Sequence, residues 1–254
     1  MGDYFPPYVS VAERRRMAAQ ARARLRAEGV TLQPVTIDGR HIAHTFWGKA
    51  WCDHLESFSD YANRLPRGRT YVRNGSVFHL AIERGTVAAR VQGSSLYTVL
   101  ISIDALSPRR WKAIQKQCTG QITSVLDLLK GKLSDPVMKV VTDRSSGLFP
   151  QPREITLQCS CPDRAHMCKH IAAVLYGVGA RLDEKPELLF LLRGVDHEEL
   201  IGVHAAAAVT EAVARKGSGR RIADSELAGI FGVELVEPLV PARQGKRKKG
   251  ARSR

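Results

Sequence analysis

The chain has 254 residues, 44% of them hydrophobic, with 39 Lys and Arg against 25 Asp and Glu for a formal net charge of +14. That length suits one large domain or two modest ones, and the charge favours a polyanionic partner such as nucleic acid. No apolar run approaches the ~20 residues that span a bilayer, and the N-terminus lacks signal-peptide order, so a protein without a membrane segment and a cytoplasmic location are expected.

Five cysteines, three of them clustered, fit a reducing compartment and a metal site better than a disulfide framework, leaving Cys52 and Cys118 as unpaired thiols. The charge is concentrated at the end: residues 241–254 hold seven basic residues and no acidic one, which leaves +7 on residues 1–240. This tail, with Lys246, Arg247, Lys248 and Lys249, is expected to be disordered and to add salt-sensitive affinity for nucleic acid.

In chain order, Ser10 to Glu13 is a capping-box pattern opening an Ala- and Arg-rich helix over about 11–27. Residues 1–40 are read as this basic helix and a linker. Trp47 and Trp51 are four apart and can share one helix face, as core or, in the minority reading, as base-stacking groups. The Trp47–His54 segment, with His79 brought near by folding, could be imagined as a Cys52/His nucleophile site, but sequence adjacency makes no dyad. In RGRTYVR, Arg67, Arg69 and Arg73 surround Tyr71, a modest match to basic-plus-aromatic nucleic-acid surfaces, set against a solvated loop.

Period-two alternation from 77 to 103 predicts a three-stranded antiparallel meander, with turns at Gly85 and Gly93-Ser-Ser95. Ser107-Pro108 starts a helix carrying Trp111, Ile114 and Cys118, and Ile122 to Leu129 continue helically to Lys130. Residues 41–135 are therefore read as a small α+β domain. Residues 136–182 are read as a mostly irregular connection and a metal-binding finger, and 183–240 as a helical C-terminal region with a flexible linker. LAGIFGVEL at 227–235 resembles the first helix of a helix-turn-helix, but Pro238 and Pro241 leave no room for a recognition helix.

Residues 159–170 read CSCPDRAHMCKH. Cys159, Cys161, Cys168 and His170 are ligands of the type zinc prefers. In an extended chain Cys159 and Cys161 point to one side. On a helix, residues two apart lie about 200° apart, so Cys168 must precede a helix whose first turn carries His170. His166 is the alternative ligand; a redox pair and a chance cluster are the weaker alternatives. A closed Cys3His sphere leaves no open position, so one structural Zn2+ is expected. Arg153, Arg164 and Lys169 add positive charge around it.

Cys-x-Cys…Cys-x-His, with strand and turn first and helix after, resembles the SWIM zinc finger, found in nucleic-acid-linked proteins. FWGKAWCDHLE, RGRTYVRNGSV, VAARVQGSSLYTV and GLFPQPREITLQCSCPD extend the likeness over roughly 44–195. They resemble bacterial SWIM proteins that accompany helicase-like remodelling ATPases of the switch/sucrose-non-fermenting group. The resemblance implies the same four zinc ligands and no catalytic residue. No phosphate-binding Gly-x4-Gly-Lys-Ser/Thr motif occurs, so any ATPase belongs to a partner. The expected fold is α+β: a small antiparallel meander with packed helices, then a strand-turn-helix finger and a helical C-terminal region. The expected function is that of a non-enzymatic accessory factor that binds DNA or RNA and/or a helicase-like ATPase. The alternative is a pure protein-interaction adaptor.

Overall fold

In the computed structural model, residues 9–58, 64–122 and 124–200 are described, and all lie in one of two units, residues 1–208. The Ala-rich region at 205–215, the linker and the basic tail lie outside the described residues. Helix α1 spans Val11–Ala27; Ser10 caps it, its hydroxyl accepting from the Glu13 N–H at 3.1 Å, as the capping pattern requires. Gly29, at φ 81°, stops it.

Helix α2 (Phe46–Glu56) buries Trp47, Trp51 and Leu55 completely along one stripe. Both indoles donate to carbonyls, Trp47 to Leu128 at 2.9 Å and Trp51 to Leu175 at 2.8 Å. They are core, and the base-stacking reading of these two residues falls. RGRTYVR is no loop: it lies in α3 (Leu65–Arg73), with Pro66 in the first turn. Strands β1 (Val77–Glu83), β2 (Thr86–Gln92) and β3 (Leu96–Ile103) form the expected antiparallel meander.

Helix α4 (Pro108–Cys118) starts as expected, with Ser107 as cap, but it does not run on to Lys130. The chain leaves it at Thr119, turns through Gly120 at φ 76°, and a separate short α5 covers Val125–Leu129. The connection read as mostly irregular contains a further helix, α6 (Asp135–Thr142), with Pro136 in its first turn and Val137 and Val141 buried. Proline there reads as a loop signal and a helix-start signal alike, and the apolar spacing decides for the helix.

A 3-10 turn at Pro152–Glu154 leads into β4 (Ile155–Cys159), which pairs antiparallel with β3 and completes a sheet of order β1-β2-β3-β4. The sheet therefore crosses the 135/136 boundary drawn from the sequence. Helix α7 (Lys169–Glu184) packs against α2, α3 and the sheet, and α8 (Glu187–Arg193) ends at Gly194 in the left-handed conformation. Twelve of the sixteen α7 residues are buried, so it is a central core helix rather than an amphipathic surface one. Gly68 sets its distance from α3: a Cβ there would stand 2.5 Å from the Ala172 Cβ. Among the described residues no helix is long and apolar enough to cross a membrane.

Candidate metal centre

Each ligand is delivered by a different local conformation. Cys159 is the last residue of β4, and Cys161 follows two residues on. Asp163 turns the chain, its carboxylate accepting the Ala165 N–H at 3.1 Å and facing Arg64 at 3.7 Å. Cys168 is the N-cap of α7, extended at φ −86° and ψ 169°, and His170 lies in that helix's first turn, as the spacing demands. The four ligand atoms all lie within 4.8 Å of one another. His170 Nδ1 stands 3.9 Å from the Cys159 sulfur and 3.8 Å from the Cys168 sulfur. Zinc–sulfur bonds of ~2.3 Å and zinc–nitrogen bonds of ~2.0–2.1 Å give tetrahedral edges of roughly 3.6–3.8 Å, so the cluster is compatible with one structural zinc ion. His166 is exposed and outside this group.

The donor chemistry agrees. A hydrogen bond from the Cys159 thiol, with help from His170 and the Ile171 N–H, lowers the Cys168 thiol to about 4, against the cost of burial. Its partner Cys159 is pushed up, first because its proton is held between the two sulfurs and then by burial. Burial raises Cys161 as well. Three sulfurs this close shed all their protons only in exchange for a cation. The filled set, three thiolates and Zn2+, carries one negative charge.

The sequence does not disclose what holds His170. Its ring is 2% exposed and lies between two tyrosines, Tyr97 at 4.4 Å and Tyr71 at 5.4 Å between centroids. A Cβ on Gly93 would come within 2.7 Å of His170 Nε2, so the β2–β3 turn closes the back of the imidazole. Gly93 carries only a turn signal in the sequence. Its contact with a residue 77 positions on depends on how α7 crosses the sheet.

With this geometry in view, the family comparison is decisive: the SWIM zinc finger family matches residues 141–178. Residues 141–178 form a SWIM zinc finger. The chain is also 36% identical over 169 residues to Rv2102, an uncharacterized protein of Mycobacterium tuberculosis; the match covers 65% of this chain and 61% of that protein. The chain thus spans about three-fifths of the length of the curated relative it matches. No solved structure matches it.

The basic residues singled out in the sequence separate into groups. Around the finger's helix start, the Lys169 ammonium lies 5.8 Å from the Tyr71 ring centroid and the Arg14 guanidinium of α1 lies over the same ring at 4.6 Å. Arg15 donates to Asn74 just beyond α3 at 3.2 Å. Arg67 is exposed one turn before Tyr71, on the same α3 flank. Arg153 and Arg164 are exposed on either side of β4 and the ligand loop. On the other flank of α3, exposed Arg73 lines a separate pocket of about 230 Å3 with Arg40, Lys49, Cys52 and Arg69. Arg69 is already engaged: it is ion-paired to Glu56 and donates to the Tyr176 hydroxyl at 3.0 Å. Lys246, Arg247, Lys248 and Lys249 lie outside the described residues.

Tyr71 is 8% exposed and occupied by these neighbours, so no base can stack on it as it stands. The surroundings of Cys52 and His79 lend no support to a nucleophile site. Burial, reinforced by Glu56, Asp53 and Asp183, raises the Cys52 thiol to about 12, and His79 Nδ1 already accepts the Gln33 N–H at 3.2 Å.

Proposed function

We propose that this chain is a non-catalytic accessory factor whose zinc-supported surface binds nucleic acid through its phosphates, with a helicase-like ATPase as its working partner. The observation that carries the reading is the stacking of Arg14 and Lys169 over the Tyr71 ring that also touches zinc ligand His170. Three segments remote in sequence, α1, α3 and the start of α7, thereby contribute cations to one ridge, joined by exposed Arg67. Guanidinium and ammonium groups held this way suit phosphate oxygens. A formal +14 supplies the wider field that steers a polyanion to the ridge.

Nothing in this reading calls for base recognition. Binding is therefore expected to be weakly sequence-dependent and strongly salt-dependent, with log affinity falling about 0.9 units per tenfold rise in salt for each phosphate neutralised on duplex DNA. The test is a salt-titrated binding series on single- and double-stranded DNA and RNA, using the wild type and an Arg14→Glu, Arg67→Glu, Lys169→Glu triple variant. The variant should bind more weakly at every salt concentration, with a shallower slope. Undetectable wild-type binding to all four nucleic acids at low salt would end the nucleic-acid reading. A partner ATPase captured equally well by both proteins, with neither protein binding nucleic acid, would favour the adaptor reading.

A further inference from the structure

We infer that the outer edge of β4 is a docking site for an extended acidic segment of a partner protein, which adds to the sheet as a fifth strand. This surface is distinct from the Arg14–Lys169 ridge, and the nucleic-acid reading survives if the inference fails.

The two edges of the sheet are treated differently by the chain. Along β1, the segment before α2 covers the edge: the Leu80 N–H donates to the Gln33 carbonyl at 2.8 Å and the Val35 N–H to the Val77 carbonyl at 3.1 Å. Along β4, no described segment does so. The register identifies which groups are left. The Ser160 N–H donates to Thr98 and the Asp104 N–H to Glu154, so the pairs 98/160, 100/158, 102/156 and 104/154 are the hydrogen-bonded ones. Ile155, Leu157 and Cys159 therefore turn their backbone groups away from β3. The Ile155 N–H is used by the Pro152 carbonyl. The Leu157 N–H and carbonyl and the Cys159 N–H remain, with the spacing an added strand requires.

Edge strands are ordinarily blunted by proline, lysine, a bulge or a cover. ITLQC contains no proline, lysine or arginine, the zinc-held Cys159 thiolate being its one charged group, and its pairing with β3 runs without a shift. Beside it runs a groove of about 490 Å3 between β4 and the ligand loop, lined among others by Leu157, Ala165, His166 and Ile171. Alternate side chains of an added strand would enter this groove, and the rest would face solvent beside exposed Thr156 and Gln158.

The rim selects the sign of the occupant. Arg153 precedes β4 and Arg164 stands on the loop, both exposed, while the carboxylate in the groove, Asp163, is already engaged by Arg64 and the Ala165 N–H. Acidic side chains therefore gain at both margins. A second copy of this chain, pairing β4 with β4, would bring its own Arg153 and Arg164 to the same rim and be repelled, which disfavours self-association here.

The test uses the full-length zinc-loaded protein and blocked heptapeptides of alternating glutamate and valine, with a lysine–valine peptide as the charge control. Two N-methylated versions, each methylated on one alternate set of amides, probe the backbone ladder without altering the protein. The acidic peptide should bind at least about tenfold more tightly than the basic one, and only one methylated version should lose binding. Leu157→Pro removes an outward N–H while sparing the bonds to β3, so it should abolish binding at unchanged zinc content. Equal binding of both methylated peptides, preference for the lysine peptide, or no binding would overturn the inference. So would a wild-type dimer that Leu157→Pro dissociates, or displacement of the peptide from this groove by a single-stranded oligonucleotide.

Discussion

Glu154 Oε2 stands 3.2 Å from Nη2 of Arg193, whose side chain is wholly buried. The same carboxylate accepts the Gln151 N–H at 2.8 Å and pairs with Arg110 at 3.2 Å, so one group at the start of β4 ties together α4, α8 and the approach to the finger. Arg193 also donates to the Asp104 carbonyl at 2.7 Å. Removing the acid strands a buried guanidinium. Glu154→Ala is expected to cost about 3–5 kcal/mol, and Arg193→Met considerably less, since it removes the charge itself. Urea unfolding of both variants checks the order.

The same group gives a pH dependence. Burial pushes the Glu154 carboxyl up, but the Gln151 N–H and the Arg193 and Arg110 guanidiniums outweigh it and leave it below its ordinary value. Its stabilisation is therefore complete above the unfolded-state carboxylate range and lost as pH falls through the lower folded value. Wild-type stability measured from pH 6 to pH 3 should fall more steeply than that of a Glu154→Gln variant.

Zinc content tests the ligand set directly. One zinc per chain is expected, and a Cys168→Ala, His170→Ala variant should retain none. Because structural zinc binding is coupled to folding, chelation should raise amide exchange through roughly residues 155–182. Full zinc content in the double variant would refute the assignment.

Gly93→Ala probes the wall behind His170. The added methyl would meet His170 Nε2 and the Tyr97 ring edge, each at 2.7 Å, so the imidazole must move. Zinc affinity measured by competition with a chromophoric chelator should fall by about 10–100-fold while the sheet persists. Unchanged affinity would mean that the turn yields instead of the ligand.

Cys52 should be inert. With its thiol raised to about 12, alkylation of the folded, zinc-loaded protein at pH 8 should leave it unlabelled. Rapid labelling that Cys52→Ala removes would reopen its chemistry.

The ligands were legible because their chemistry is local: type, spacing and the strand-to-helix change lie within twelve residues. The meander was legible for a similar reason, since period-two alternation reports one buried face. Helix α6 was obscured because Pro136 signals both a loop and a helix start. The break after Cys118 was hidden by apolar spacing that continues across it, and only the positive φ of Gly120 reveals it. The roles of Gly93, Gly68 and Glu154 were illegible because each depends on a partner 39 to 104 positions away, which no local pattern encodes. The engagement of Arg69 was illegible for the same reason: its charge is visible in the sequence, whereas Glu56 and Tyr176 beside it are not.

Helix α7 has a bearing on what can be excised. The family match stops at residue 178, inside a helix that continues to Glu184 and is walled in by α2, α3 and the sheet. A fragment cut at those limits would keep every metal donor yet discard the walls, leaving Ala172, Val174, Leu175 and Tyr176 facing water. The finger is thus recognisable as a sequence unit without being a transplantable one: its metal would secure one end of an axle that α2, α3 and the sheet enclose.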